Sequence, residues 1–337
     1  MILERRHQYV FGPVPSRRLG RSLGIDPVPF KTCSYDCIYC QLGRTTHQTV
    51  ERGEYAPLAD ILDDLDRRLA IGPEPDYVTL SGSGEPTLYS PLRPLILGIK
   101  QRTDRPVAVL TNGSLLWDPE VQDALLEADL VIPSLDAGDD ATFQWINRPH
   151  PAVSFERMVA GLKAFCRLSS KPIWLEVFLL RGANAQGAER ESIVRLVERI
   201  TPDRVQLNTA TRPPCDESAR PVQMKELNQI ARAFAVRAEV IAERPIQHSD
   251  DYCAMYRADI VDILMRRPCT PEDLASGLGL HPNEVAKHLD ELVRAHVLTY
   301  RKDGQRVYYR YAKRAGHERS GGKNAADHVL FRETRGE

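Results

Sequence analysis

The 337-residue sequence has no uninterrupted apolar run long enough to span a bilayer. Its first ten residues, MILERRHQYV, lack the apolar core of a signal peptide. It also lacks a charge imbalance, because 45 Lys and Arg stand against 46 Asp and Glu, for a net charge of -1. No overall basic field therefore indicates nucleic-acid binding, and any basic patch has to be local. These absences predict a cytoplasmic protein without a membrane partner.

Cysteine is scarce, with seven residues in the whole chain, and an odd number fits poorly with a fully paired disulfide framework. Three of the seven fall within KTCSYDCIYCQLGR, at Cys33, Cys37 and Cys40. A C-x3-C-x2-C loop can direct three thiolates at one metal centre, whereas structural zinc normally takes four ligands in pairs. Three thiolates can hold a four-iron cluster and leave one iron open. The alternative is three unrelated buried cysteines.

From about residue 56 to 241, short apolar runs alternate with longer amphipathic stretches. This alternation predicts a parallel sheet covered by helices, because each crossover between parallel strands needs a helix. The strands are predicted at 24–30, 77–81, 106–112, 128–136, 172–180 and 203–209. The helices are predicted at 58–70, 92–102, 119–127, 154–168 and 189–200.

The pattern changes after about residue 244. Three helices are predicted at 256–265, 271–277 and 283–296, followed by two alternating strands around Asp303-Gly304, a dipeptide favoured in tight hairpins. Helix, helix-turn-helix and hairpin together indicate a winged helix. The predicted organisation is a first domain at 1–244, a linker at 245–255, a winged helix at 256–314 and a flexible tail at 315–337.

The cysteine motif, with an aromatic residue at Tyr39 just before the last cysteine, resembles that of the radical S-adenosylmethionine (SAM) enzymes. The resemblance covers about residues 10–240 and implies a partial (β/α)6 barrel ahead of the winged helix. It also implies a [4Fe-4S] cluster on the three cysteines, SAM at the open iron and an electron donor such as flavodoxin or ferredoxin. In that family, reductive cleavage of SAM gives a 5′-deoxyadenosyl radical that takes hydrogen from substrate.

Polar residues recur where the predicted strands end, which is where ligands gather in parallel-sheet proteins. SGSGEPTL resembles the family's Gly-Gly-Glu motif, which implies that its Glu binds the SAM ammonium. LTNGS and PSLDA end the next two predicted strands, and DRVQLNT is the last of the six predicted strands. The predicted SAM-binding residues are Tyr39, Glu85, Asn112, Ser134, Asp136 and Asn208. For the motifs at the strand ends, a turn or a helix cap is the alternative.

The segment FGPVPSRRLGRSLGIDPVPFKTCSYDCIYCQLGRT resembles wyosine-type tRNA-modifying enzymes of the 4-demethylwyosine synthase kind. Those enzymes use a lysine Schiff base and a second cluster on cysteines upstream of the SAM motif. Here no cysteine precedes Cys33, so wyosine chemistry does not carry over directly. Lys31 is a candidate for a Schiff base or for anion pairing. Cys215 and Cys253 are candidates for an auxiliary site or for free thiols.

Charged residues near these motifs suggest a second set of contacts. Arg17, Arg18 and Arg21 form a compact basic patch, either a clamp for a carboxylate or phosphate or a solvated edge. Glu176 lies inside an otherwise apolar strand, where a charge needs a partner or a cavity.

In the predicted winged helix, outward basic and polar positions are candidates for contacts with tRNA, DNA or a protein partner. These positions are Asn283, Lys287, His288, Arg301, Lys302 and Arg306. Two functions remain open. The first is a radical SAM enzyme with an unidentified substrate, for which a tRNA nucleoside is one candidate. The second is a DNA-binding regulator that senses SAM or redox state through an iron–sulfur cluster.

Overall fold

The structure is a computed structural model that describes residues 9–40, 42–71, 73–210, 216–241, 257–278, 285, 289, 292–293, 295–303 and 306–312. The predicted linker at 245–255 and tail at 315–337 lie outside the described residues. So do the candidate residues Cys215, Cys253, Asn283, Lys287 and His288, as well as the side chain of Lys302.

The first part of the chain is built on parallel strands. The strands are β1 (Val10–Ser16), β2 (Gly20–Ile25), β3 (Thr32–Cys33), β4 (His47–Gln48), β5 (Tyr77–Leu80), β6 (Val107–Thr111), β7 (Leu130–Pro133), β8 (Trp174–Leu179), β9 (Arg204–Thr209) and β10 (Ala238–Val240). One sheet has the order β1-β2-β5-β6-β7, with β1 antiparallel at the edge, and a second has the order β10-β9-β8. Parallel bridges Val131↔Ile173 and Ser134↔Glu176 connect β7 to β8. The predicted partial barrel is thereby confirmed.

Helices cover the outer side of this sheet. They are α1 (Leu58–Ile71), α2 (Leu92–Lys100), α3 (Pro119–Leu125), α4 (Asp140–Ile146), α5 (Phe155–Leu168), α6 (Gly187–Ile200) and α7 (Met224–Ala231). Their starts follow local chemistry, since the Ser154 hydroxyl accepts from the Arg157 amide and Asp118 caps a helix that opens with proline. Within the described part of the chain, no helix combines the length and hydropathy needed to cross a membrane.

The barrel core consists of aliphatic strand residues pressed against helices. Leu80, Val109 and Leu175 have no exposed surface, and neither have Leu65 and Leu162 on the helices. Burying each such side chain contributes about 1.5–3 kcal/mol. The strands are largely apolar on both faces, and most of the polar side chains of the candidate site lie at or just beyond the strand ends.

The first predicted strand is wrong in its position. The strand lies at Gly20–Ile25, and the segment 26–30 that was included in the prediction forms a loop. Pro27 and Pro29 lack the amide hydrogens that a strand between two neighbours has to donate. The edge strand β1, the short helix α4 and the pair α7 and β10 were not predicted.

The last part of the chain forms α8 (Arg257–Arg266), α9 (Pro271–Leu278) and the hairpin β11 (Leu298–Asp303) and β12 (Arg306–Tyr311). The hairpin is antiparallel from Leu298↔Tyr311 to Asp303↔Arg306, as predicted around Asp303-Gly304. We call α8, α9, β11 and β12 the winged-helix module. Its apolar core includes Ile260, Leu264 and Cys269, and a bridge from Cys269 to Tyr309 joins helices and hairpin.

Candidate active site at the carboxyl ends of the strands

The cysteine loop follows β2 and is anchored by the apolar residues between its cysteines. Tyr35 is 3% exposed and contacts the edge of Phe143, with ring centroids 5.4 Å apart. Ile38 is fully buried, and its amide donates to the carbonyl of Ile146 over 2.9 Å. Burial of these two side chains, one on each side of Cys37, fixes the loop that carries the three cysteines. Cys33, Cys37 and Cys40 are partly buried and none of them is in a disulfide.

A side-chain N–H donor points at each of the three sulfurs. The contacts are Lys31 Nζ to Cys40 Sγ at 3.1 Å, Asn112 Nδ2 to Cys33 Sγ at 3.5 Å and Asn147 Nδ2 to Cys37 Sγ at 3.6 Å. Sulfurs that carry negative charge as cluster ligands are stabilised by such donors. The donor set therefore fits an iron–sulfur cluster held by these three thiolates.

Burial governs the protonation of these thiols. Desolvation, with a further contribution from the Glu85 carboxylate, raises the pKa of Cys33 to about 12. Desolvation, followed by the neighbouring Cys33, raises the pKa of Cys37 well above its ordinary value. Metal binding therefore has to displace the thiol protons. Among the residues that the structure describes, no three His, Cys, Asp or Glu side chains are grouped around one metal-ion position, and in a four-iron cluster each thiolate would bind a different iron.

Hydrogen bonds accepted by Glu85 connect the glycine-rich loop after β5 to the end of β6. Its Oε1 accepts from the amide and hydroxyl of Thr87 at 3.0 and 2.6 Å and from the Thr111 hydroxyl at 2.7 Å. Its Oε2 accepts from the Asn112 amide at 2.7 Å. A carboxylate has about four acceptor positions, so these four bonds occupy Glu85 almost completely. Burial raises the pKa of Glu85, and the hydrogen bonds oppose that rise.

Asn112 is fixed on both sides of its amide. Its Oδ1 accepts from the Ser114 amide at 2.9 Å, and its Nδ2 donates to the Ser34 hydroxyl at 2.9 Å as well as to Cys33. The end of β6 is thus connected both to the loop after β5 and to the cysteine loop. The sequence indicated that these segments would meet, because all follow parallel strands.

Asp136 organises the end of β7. It accepts from the Tyr39 hydroxyl at 2.5 Å, from Asn147 Nδ2 at 2.8 Å and from the Phe178 amide at 2.9 Å. The Tyr39 ring is stacked on Phe178 with centroids 4.0 Å apart. Burial raises the pKa of Asp136 to about 6, against the lowering effect of these hydrogen bonds.

Glu176 joins β8, β9 and the basic patch. Its carboxylate accepts from Arg18 Nη1 at 2.7 Å and from Asn208 Nδ2 at 2.8 Å. Burial opposes ionisation of Glu176, yet the Arg18 guanidinium outweighs it and leaves the pKa lowered. The predicted basic patch divides, because Arg17 and Arg18 line the cavity whereas the Arg21 amide donates to Asp76 on the exposed side.

These groups surround a cavity of about 870 Å³. Tyr39 and Cys40 lie on its wall, together with Ser134, Glu176 and Asn208 from the strand ends. A cavity of this size is in the range for cofactor and substrate sites. Of the predicted SAM-binding residues, Tyr39, Ser134 and Asn208 line it directly. Glu85, Asn112 and Asp136 lie in the hydrogen-bond network beside the cysteines.

Three contributors were missed or left unassigned in the sequence. Asn147 contacts both Cys37 and Asp136, and its signal in the sequence was its place in the polar segment WINRPHP, which follows the strand that ends in PSLDA. Phe178 gives no polar signal in an apolar strand. Asp26 binds the Ser83 amide at 3.0 Å and stood inside the strand that was predicted in the wrong position.

A family model described as the Radical SAM superfamily matches residues 28–197. A UPF0026 protein of Helicobacter pylori (strain J99) is 32% identical over 304 residues, covering 89% of this chain and 96% of that protein. The chain belongs to the radical SAM superfamily and to the UPF0026 family. Membership supports an enzyme with SAM-dependent radical chemistry. A helix-turn-helix model also matches, at residues 254–301.

The chain is also similar to a second curated protein and to a solved structure. A protein named GTPase Obg from Brachyspira hyodysenteriae is 42% identical over 289 residues, which is 85% of this chain. The chain spans only 42% of the length of that protein. The solved structure of Streptococcus suis SuiB bound to S-adenosylmethionine is 16% identical, with a TM-score of 0.48 over 64% of this chain and 50% of SuiB.

Proposed function

We propose that this protein is an enzyme in which Cys33, Cys37 and Cys40 hold a [4Fe-4S] cluster that binds SAM at its open iron. When bound, cluster and SAM supply a one-electron cleavage that releases methionine and a 5′-deoxyadenosyl radical, which takes hydrogen from substrate. The observation that carries the proposal is the N–H donor aimed at each of the three sulfurs. Buried structural cysteines have no need of three separate polar partners.

The chain's own residues orient and enclose these groups. Ser134 and Asn208 present polar atoms to the cavity, and Tyr39 covers the last cysteine while its hydroxyl is held by Asp136. Glu85 fixes the loop in this proposal, and its Oε2, which accepts from the Asn112 amide, has a second acceptor position for the SAM ammonium.

Lys31 lies with its ammonium 3.1 Å from Cys40 Sγ and is 3% exposed. This position supports charge compensation of the cysteine thiolates. A Schiff base at Lys31, and with it the wyosine-type subfamily, stays a prediction. We further propose the division into a radical SAM domain at 1–244 and a winged helix at 256–314, with a flavodoxin or ferredoxin as electron donor.

Anaerobic reconstitution of the full chain tests the proposal. The protein should bind roughly four irons through its thiolates and, with dithionite and SAM, should release 5′-deoxyadenosine. The Cys37→Ala variant should lose both iron and SAM cleavage. Cys166→Ala is the matched control, because Cys166 lies on α5 outside the loop and should leave both unchanged. Full iron content in Cys37→Ala would overturn the assignment.

The second candidate is a DNA-binding regulator that senses SAM or redox state, and the helix-turn-helix match at 254–301 is the observation in its favour. It requires duplex binding that changes with cluster state and weakens with salt. Selection from a random DNA pool decides the matter, since failure to enrich any site removes this candidate.

A further inference from the structure

The winged-helix module forms one wall of the cavity that contains Cys40. The barrel contributes the cysteine loop and strand ends, and the module contributes the end of α8, the start of α9 and the first half of β12. Arg267 and Arg306 are the basic side chains of interest on this wall, and Arg17 and Arg18 lie on the barrel wall. The wing, which in DNA-binding winged helices is a surface for nucleic acid, here borders the proposed catalytic cavity.

Specific contacts fix this wall to the barrel. Phe11 of β1 is 6% exposed and belongs to the apolar core of the module, and the Arg266 guanidinium lies 4.4 Å over its ring. Arg266 Nη1 also donates to Asp26, which is 5% exposed, at 2.7 Å. Phe11 and Asp26 belong to the barrel, so one aromatic side chain and one buried ion pair hold the module at the cavity.

A second ion pair secures the module farther from the cavity. Arg68 of α1 pairs with Asp259 and, at 3.5 Å, with Asp262 on α8. Removing either member of a buried ion pair is costly, so both contacts favour a single docked position. The cavity wall is therefore a built part of the fold.

The charges on the two walls indicate what the cavity holds. The barrel wall carries Arg17 and Arg18, and the module wall carries three arginines, Arg266, Arg267 and Arg306. Arg18 is paired with Glu176 and Arg266 with Asp26. The carboxylates of the lining, Glu176, Glu272 and Asp273, are fewer than its arginines. Asp273 accepts from the Thr270 amide at 3.1 Å, at the start of α9, and so serves as a local cap. Arginine forks match phosphate oxygens in geometry, and arginines on opposite walls suit a group with more than one negative charge.

We propose that the cavity between barrel and module binds a phosphate-bearing substrate, and that Arg267 and Arg306 of the winged-helix module are binding residues for its phosphate. The inference deepens the proposed function, because it names the substrate class of the same cavity. The phosphate has two sources with one chemistry, a free nucleotide or a nucleotide within a nucleic-acid strand.

The experiment measures the affinity of the full-length, anaerobically reconstituted protein for inorganic pyrophosphate by titration calorimetry. Arg306→Gln and Arg267→Gln should each weaken binding about tenfold, as expected for loss of a hydrogen bond to a charged group. Arg301→Gln is the matched control, because Arg301 is exposed on the same hairpin but does not line the cavity. It should change the affinity by less than about twofold. Arg306→Lys, which keeps the charge, should restore part of the affinity.

A second arm uses a short single-stranded RNA in competition with pyrophosphate. Displacement of pyrophosphate by the RNA, with the same dependence on Arg306, assigns the phosphate to a nucleic-acid substrate. Failure of the RNA to compete, with pyrophosphate still bound through Arg306, assigns it to a free nucleotide. RNA binding that depends on Arg301 as strongly as on Arg306 overturns the proposal, because the outer face of the wing is then the binding surface.

The phosphate site and the radical SAM assignment can be contradicted independently of each other. Protein that holds its cluster and releases 5′-deoxyadenosine but does not bind pyrophosphate contradicts the phosphate site and leaves the radical SAM assignment standing. Pyrophosphate binding that depends on Arg306, in protein that never acquires a cluster, contradicts the enzyme assignment and supports the anion site.

Discussion

The glycine-rich loop at 81–85 has two faces, and they are held in different ways. On the inner face, Glu85 is bound by Thr87 of its own segment and by Thr111 and Asn112 at the end of β6. On the outer face, Ser83 is bound by Asp26, whose other partner Arg266 comes from the winged-helix module, 240 residues away along the chain. The inner face is thus closed by the barrel alone, whereas the outer face depends on the docked module. Loss of Arg266 should therefore disturb the loop through Asp26.

The largest effect is expected for Arg266→Met, which leaves Asp26 buried without its cationic partner. The free energy of unfolding at neutral pH should fall by about 3 kcal/mol, the cost of breaking a buried pair. Burial raises the pKa of Asp26 despite the opposing effect of Arg266. The penalty should therefore shrink as the pH falls and Asp26 takes up a proton. Thermal unfolding of full-length apoprotein at several pH values measures this.

Arg301→Met is the control for that experiment, since Arg301 is exposed and its loss should cost less than about 0.5 kcal/mol. If Arg266→Met lowers the free energy of unfolding no more than Arg301→Met does, the outer face of the loop does not depend on the module. Weaker SAM binding by the Arg266→Met holoprotein, with unchanged iron content, would show that the effect reaches the loop.

Gly84→Ala tests how tightly the loop is packed between its two faces. An added Cβ would lie 2.1 Å from the carbonyl oxygen of Thr32 and 2.7 Å from a methyl group of Val28. Because the first contact is with backbone, the loop or the cysteine segment has to move, and we expect a loss of about 2–3 kcal/mol. Gly53→Ala is the control, since its nearest neighbour would be the Tyr55 ring at 3.8 Å. Equal melting temperatures for the two variants would contradict this packing.

The inner face is broken by Glu85→Gln, which replaces one acceptor oxygen with an NH2 group that faces existing donors. At least one buried donor among the groups now bound to Glu85 loses its acceptor, at a cost of about 2 kcal/mol. The conservative Glu85→Asp variant keeps the charge but not the reach and serves as the comparison. Chemical denaturation of each variant gives the difference. A Glu85→Gln protein as stable as the wild type would show that the four bonds contribute little.

The contacts of the inner face could be predicted from the sequence, whereas those of the outer face could not. The cysteine loop, the strand-end motifs and the partial barrel were predicted because spacing and apolar periodicity are local signals. The partners of Glu85 lie in its own motif and in the motif that ends the next strand, so their meeting followed from parallel topology. The contact between Asp26 and Arg266 joins distant segments without a shared pattern, and the misplaced strand at 24–30 hid the loop conformation of Asp26. Nothing in the sequence indicated that Phe11 would enter the core of the module.

The smallest effect concerns Glu176 and Arg18, a second Arg–carboxylate pair whose pKa moves in the opposite direction to that of Asp26. Burial would raise the pKa of Glu176, but Arg18, Asn208 and Arg17 together leave it lowered. A lowered pKa in the folded state means that the pair contributes stability above the unfolded pKa near 4.5, and that this contribution is lost as the pH falls further. Glu176→Gln should therefore cost about 1.5 kcal/mol at neutral pH and nothing once Glu176 is protonated in both states. The free energy of unfolding of wild type and variant is measured through the acid range. A difference between the two proteins that does not change with pH would show that Arg18 does not stabilise the ionised carboxylate. The contrast with Asp26 would then disappear.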